Sequence, residues 1–129
     1  MSASVHPLVQ PPPRVLLLDD DTLVLRALRR AIGAAAQVIP HHDPAEVLRT
    51  IAAHEAFDLV VFDMYMGAID GPEFFAGFVA MRPDLRARCV VMSGDTESEA
   101  FRAFAQREGL RTLRKPFLGR ELLALATPR

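Results

Sequence analysis

The chain has 129 residues, half of them hydrophobic, and carries 15 Lys plus Arg against 16 Asp plus Glu, a formal charge of −1. That length is one domain, able to bury about two-thirds of the surface its unfolded form exposes, which excludes a multidomain enzyme and any need for a disulfide or structural metal. The single cysteine, Cys89, suits a reducing cytoplasm, the near-neutral charge gives no field to draw in nucleic acid or an anionic membrane, and there is neither a signal-type start nor an apolar run of the ~20 residues a membrane span requires. A soluble, cytoplasmic protein is expected.

Residues 1–13 include Pro7 and Pro11-Pro12-Pro13 and show no apolar periodicity, so they form a proline-rich extended lead-in to a domain expected over 14–127. Within the domain, short continuous apolar runs alternate with stretches of three- and four-residue apolar spacing, the pattern of strand-helix repeats around a parallel sheet. Val15-Leu16-Leu17-Leu18, Leu59-Val60-Val61-Phe62 and Cys89-Val90-Val91-Met92 lack in-out alternation, as central strands covered on both faces do. Gln37-Val38-Ile39 and Leu110-Arg111-Thr112-Leu113 are short or interrupted and fit strands nearer an edge.

Five helices fill the intervals. Thr22 to about Ala35 places Val24, Ala27, Leu28 and Ala31 on one face and leaves Arg26, Arg29 and Arg30 to solvent. Asp43 caps a helix that begins at Pro44 and is expected to reach His54. Pro72 to Met81 is the third. Glu97 to Glu108 is the fourth, capped by Thr96 or Asp95 and stopped by Gly109. Leu118 to Ala126 is the last, ended by Thr127-Pro128. The fold class is therefore α/β, five strands alternating with five helices.

In an open parallel sheet, ligands bind beyond the carboxyl ends of the strands. Those ends carry Asp19-Asp20-Asp21, Asp63, Ser93-Gly94 and Lys115-Pro116. Singly, each has an ordinary explanation: one aspartate of the triplet caps the following helix, Asp63 and Ser93-Gly94 are turn residues, and Lys115 is a surface charge. Together they put several carboxylates, a hydroxyl and an ammonium at one edge. Clustered carboxylates repel one another unless a cation joins them, and oxygen donors without His or Cys select a hard ion such as Mg²⁺. With an ion between Asp20 and Asp63, an Asp63 oxygen can attack phosphorus while Ser93 and Lys115 hold two phosphoryl oxygens.

These residues make the chain resemble the receiver domain of bacterial two-component response regulators. The resemblance is carried by Val15-Leu16-Leu17-Leu18-Asp19-Asp20-Asp21, Asp63-Met64-Tyr65-Met66-Gly67-Ala68-Ile69-Asp70-Gly71, Val91-Met92-Ser93-Gly94 and Lys115-Pro116-Phe117, and it covers about Arg14 to Ala126. The intervals, 43 residues from Asp20 to Asp63, 30 on to Ser93 and 22 on to Lys115, agree with it. It implies a doubly wound, flavodoxin-like sheet of order 2-1-3-4-5. It further implies that Asp63 accepts a phosphoryl group from a histidine kinase or histidine phosphotransfer protein. Asp20, Asp63 and the main-chain carbonyl of Tyr65 would bind Mg²⁺, with Asp19 assisting through water. Ser93 would be the switch hydroxyl, the Gly94 N–H a phosphoryl contact, Lys115 the conserved-type lysine, and the Lys115-Pro116 bond cis. The downstream target would dock on the fourth helix, fifth strand and fifth helix, with no part for nucleic acid or membrane.

The chain departs from the family pattern in places. Gly67 stands where proline usually follows the methionine, which implies a more mobile loop and weaker metal binding. Thr112 stands where many receivers carry the aromatic residue that reports the switch. Tyr65 and Asp95 flank the path of an attacking water, so Tyr65 is expected to shield an acyl phosphate. With the sheet complete by Leu113, an output domain is not expected, and the chain acts alone or belongs to a longer protein such as a hybrid kinase. Two other readings are a phosphorylation-independent docking module of receiver shape and an aspartate-nucleophile phosphatase. The phosphatase needs an aspartate where this chain has Tyr65.

Overall fold

The computed structural model describes residues 11–126. The strands are β1 (Arg14–Leu18), β2 (Gln37–His41), β3 (Leu59–Asp63), β4 (Cys89–Ser93) and β5 (Arg111–Arg114), and the helices are α1 (Thr22–Ile32), α2 (Pro44–Thr50), α3 (Gly71–Met81), α4 (Glu99–Glu108) and α5 (Gly119–Ala126). All four strand pairings are parallel, in the order β2-β1-β3-β4-β5, the flavodoxin-like arrangement.

The continuous apolar runs are explained by two cores. Alternate residues of each central strand point to opposite faces. Val15, Leu17, Val61, Val90 and Met92 pack with α1 and α5, while Leu16, Leu18, Phe62 and Val91 pack with α2, α3 and α4. Phe62 sits in an aromatic cluster, its ring centroid 5.4 Å from that of Phe74, 6.0 Å from Phe75 and 6.4 Å from Phe104. The phenylalanines of α3 and α4 are thus core residues.

Several element boundaries differ from the expectation. Helix α1 ends at Ile32, with a 3-10 turn over Gly33–Ala35, and it buries Leu25, Leu28 and Ile32 while Ala27 and Ala31 stay exposed. Burying leucine and isoleucine removes more apolar area from water than burying alanine, which favours that neighbouring stripe. Helix α2 stops at Thr50, not His54. The carbonyls just beyond it are taken by distant arginines: Ala52 accepts from Arg82 Nη1 at 2.9 Å and Ala56 from Arg14 Nε at 2.9 Å. Helix α4 begins at Glu99 with Ser98 as its cap, because Asp95 is engaged in the preceding turn. A 3-10 segment, Pro83–Arg88, has no counterpart in the sequence pattern. Strand β2 runs on to His41, beyond the expected Gln37-Val38-Ile39, and the sheet's hydrogen bonding reaches Pro13, whose carbonyl accepts from Gln37 N at 2.8 Å. The first ten residues of the lead-in, and Thr127-Pro128, lie outside the described residues.

The sheet's amino end is held by ions. Arg14 pairs with Glu55 at 2.9 Å and Arg88 with Asp58 at 3.8 Å, and the buried Arg82 grips Asp84 through two bonds of 3.0 and 2.9 Å. Asp84 therefore holds its proton less readily than an ordinary aspartate, chiefly through the Arg82 bonds. The site lies at the opposite end.

Candidate functional site

Four strands deliver the predicted residues to the carboxyl edge. Asp19 and Asp20 follow β1, Asp63 ends β3, Ser93 ends β4 and Lys115 follows β5. Lateral register holds these ends side by side, since Leu18 pairs with Phe62, Asp63 with Met92 and Ser93 with Arg114. Bonds beyond the strands continue the lock: Asp19 N donates to His41 O at 3.1 Å, Met64 N to Met92 O at 2.9 Å and Lys115 N to Ser93 O at 2.9 Å.

Carboxylate oxygens of Asp19, Asp20 and Asp63 all lie within 4.8 Å of one another. Asp19 is fully buried and Asp63 is 5% exposed, whereas Asp20 faces solvent. The Lys115 ammonium donates to Asp19 Oδ2 at 2.9 Å and is also bonded to Asp63 Oδ2. Asp63 Oδ1 accepts from Tyr65 N at 3.2 Å, and Asp19 Oδ1 accepts from Asp21 N at 2.9 Å. Asp21 is the capping residue of the triplet, its Oδ1 receiving the N–H groups of Leu23 and Val24 at 3.0 and 3.3 Å.

Burial raises the Asp63 carboxyl above its ordinary value and outweighs the opposing Lys115 and Tyr65 bonds. For Lys115, desolvation pulls the ammonium down, but its bonds to Asp63 and Asp19 reverse this and leave it above its ordinary value. The positive charge that the acidic cluster demands is thus supplied in part by the chain itself. The donor set is all carboxylate oxygen, with no His or Cys, which fits a hard divalent cation. The Cys89 thiol is buried in β4, with its pKa pushed up to about 12 by desolvation, and takes no part.

Ser93 is buried, and its Oγ accepts from Asp95 N at 3.0 Å, so the hydroxyl is engaged with the loop after β4. Gly94 is exposed, with open space where a Cβ would stand. Tyr65 is 54% exposed beside Asp63. The Lys115-Pro116 peptide is cis.

Glycines shape the loop after Asp63, and sequence reasoning found only part of this. Gly67 adopts φ +83°, a conformation closed to proline, so the departure at this position accompanies a different backbone path. Gly71 was missed. Its N–H donates to Met64 O at 2.8 Å, and a Cβ there would lie 2.9 Å from Met64 Cα and 3.0 Å from Asp63 O. The signal available was the Asp70-Gly71-Pro72 start of α3, where Asp70 and Glu73 form a reciprocal capping box.

Residues 15–127 match the model of the response regulator receiver domain. Among similar solved structures is a CheY-like response regulator receiver domain protein from Methanospirillum hungatei JF-1, 25% identical, TM-score 0.72, covering 88% of this chain and 89% of that one. A response regulator protein from Burkholderia pseudomallei, solved with a phosphorylated aspartic acid, calcium ion and citrate, is 26% identical, with TM-score 0.73 over 89% of this chain and 66% of that one. The receiver domain of a sensor histidine kinase from Pseudomonas aeruginosa PAO1, with a magnesium ion coordinated in its active site cleft, is 21% identical, with TM-score 0.70 over 89% and 94%; it supports the fold alone. No curated protein is matched by the chain.

Proposed function

The chain belongs to the response regulator receiver domains, the phosphoryl-accepting signalling modules of two-component systems, and from that premise we propose that Asp63 accepts a phosphoryl group from a histidine kinase or histidine phosphotransfer protein in a Mg²⁺-dependent reaction. The observation that carries the proposal is the meeting of Asp63 with Lys115, Asp19 and Asp20 at one sheet edge. The functional unit is residues 14–127, preceded by the lead-in of 1–13.

In the forward step a carboxylate oxygen of Asp63 attacks the phosphorus of the donor's phosphohistidine. The new O–P bond forms as the P–N bond breaks, and the histidine nitrogen leaves with the bonding pair. Asp20, Asp63 and the Tyr65 carbonyl would hold the divalent ion, with Asp19 beside them, and the ion would supply neutralising charge at the transferring oxygens. Lys115 passes from its carboxylate partners to one phosphoryl oxygen, the Ser93 hydroxyl donates to another, and Gly94 N–H adds a third contact. The product is an aspartyl phosphate that the exposed Tyr65 ring shields from water. Downstream targets dock on the face formed by α4, β5 and α5, where an open groove of about 610 Å³ runs past Phe101, Arg102, Ala105, Leu110 and Thr112.

The test is intact-mass measurement after incubation with Mg²⁺ and a small acyl-phosphate donor, with Asp63→Asn alongside. A modified parent with an unmodified variant supports the receiver. Release of phosphate from varied monoesters would instead indicate a phosphatase. An inert parent would indicate a docking module, the reading that the exposed Thr112 on β5 favours.

A further inference from the structure

We infer that α4 possesses two alternative N-terminal caps, and that engagement of Ser93 by a phosphoryl group on Asp63 moves the helix start from Glu99 back to Glu97. This rests on the proposed function above. In the structure the cap is Ser98, whose Oγ accepts from Phe101 N at 3.2 Å. Two residues earlier stands an unused alternative. Thr96-Glu97-Ser98-Glu99 has the S/T-x-x-E pattern of a reciprocal capping box, and starting there would put both Glu97 and Glu99 in the first turn, where acidic side chains are stabilised by the helix dipole. Ser98 itself has φ −63° and ψ 144°, so its φ is already helical and a rotation of ψ is the main change needed to absorb it into the helix.

The shorter start is held by the switch hydroxyl. Ser93 Oγ accepts from Asp95 N at 3.0 Å, Asp95 Oδ1 accepts from Glu97 N at 3.2 Å, and Asp95 O accepts from Ser98 N at 3.4 Å. These bonds form one chain from β4 to the cap. When the Ser93 hydroxyl turns to a phosphoryl oxygen, Asp95 N–H loses its acceptor and the turn is released. Thr96 Oγ then accepts from Glu99 N, while the Glu99 carboxylate accepts from Thr96 N.

The far end of α4 does not follow. Gly109 closes it at φ +67°, Leu110 N donates to Ala105 O at 2.9 Å, and Arg86 grips both the carbonyl and the carboxylate of Glu108 at 3.1 and 2.9 Å. Phe101 and Phe104 are buried in the core. Rearrangement is therefore confined to the first turn, which borders the α4–β5 groove through Thr96 and Glu97. With Thr112 too small to report the switch by a ring movement, this turn is the route left to the surface.

Backbone NMR of the full chain, with and without Mg²⁺ and excess acetyl phosphate, tests the inference, with intact mass recorded in parallel. Glu97 and Ser98 should move from turn to helical chemical shifts as Asp63 becomes modified. Thr96→Ala should be modified to the same extent without that movement, and Ser93→Ala, which removes the acceptor of Asp95 N, should show helical Glu97 with no donor present. A parent modified at Asp63 whose residues 97 and 98 do not move would overturn the inference while leaving the phosphoacceptor intact. So would a Ser93→Ala chain whose helix still starts at residue 99, a result that stands whether or not Asp63 is modified. Failure of modification itself would strike the functional proposal first.

Discussion

Replacing Lys115 by methionine isolates the electrostatics of the site. The aliphatic stem still fits beside Val24, Leu28 and Phe117, but the ammonium bonded to Asp19 and Asp63 is gone. Two buried carboxylates then share the site with no cation, and in divalent-free buffer the least costly relief is for one of them to hold a proton. From an ordinary aspartate value of 3.8, holding that proton at pH 7 costs about 4 kcal/mol at about 1.36 kcal/mol per pH unit, which bounds the loss of stability. Asp63 is the cheaper site, because burial has already raised it. At pH 5 the same bound falls to about 1.6 kcal/mol. The sign follows from proton counting: the folded variant binds more protons than the unfolded chain, so its stability falls as pH rises. Urea titrations of parent and variant with chelator present should show a deficit of up to about 4 kcal/mol at pH 7 that shrinks towards pH 5. A variant as stable as the parent at pH 7, or a deficit equal at both pH values, would refute the reasoning.

Gly71→Ala should cost about 1–3 kcal/mol by overpacking and also slow modification by an acyl-phosphate donor, because the added methyl pushes on the Asp63 carbonyl and Met64; melting curves and mass spectrometry read the two effects. Gly67→Ala meets no neighbour and should lose only the backbone cost of a positive φ, about 1–2 kcal/mol. Tyr65→Ala should release the aspartyl phosphate faster once donor is removed, and an unchanged half-life would count against shielding. In the parent, the raised Lys115 value means that its stabilising contribution is present below pH 10.5 and is lost as pH climbs through the folded value, so alkaline denaturation should begin later than for Lys115→Met.

The parts visible in the sequence are those set by local composition. Leu59–Phe62 is apolar throughout because both faces of β3 are buried, and Asp63 marks the point where the strand leaves the core. Asp43-Pro44 and Gly109 signalled a helix start and a helix end through their own backbone preferences. What escaped notice depends on partners far along the chain. Helix α2 ends early because Arg82, 30 residues away, takes the Ala52 carbonyl. Lys115 was expected near phosphate, but its bond to Asp19 spans 96 positions, and no spacing rule announces it. Gly71 is needed only because the folded β3–α3 loop brings Met64 against it.

Because Lys115 bridges Asp19 and Asp63, the acidic cluster is partly neutralised before any ion arrives. A singly charged ion meets a cluster with little charge left to balance, so it gains less there than a divalent one does. The lysine thus sets how much counter-charge the cluster still calls for, and Lys115→Met should take up sodium or potassium more readily than the parent does.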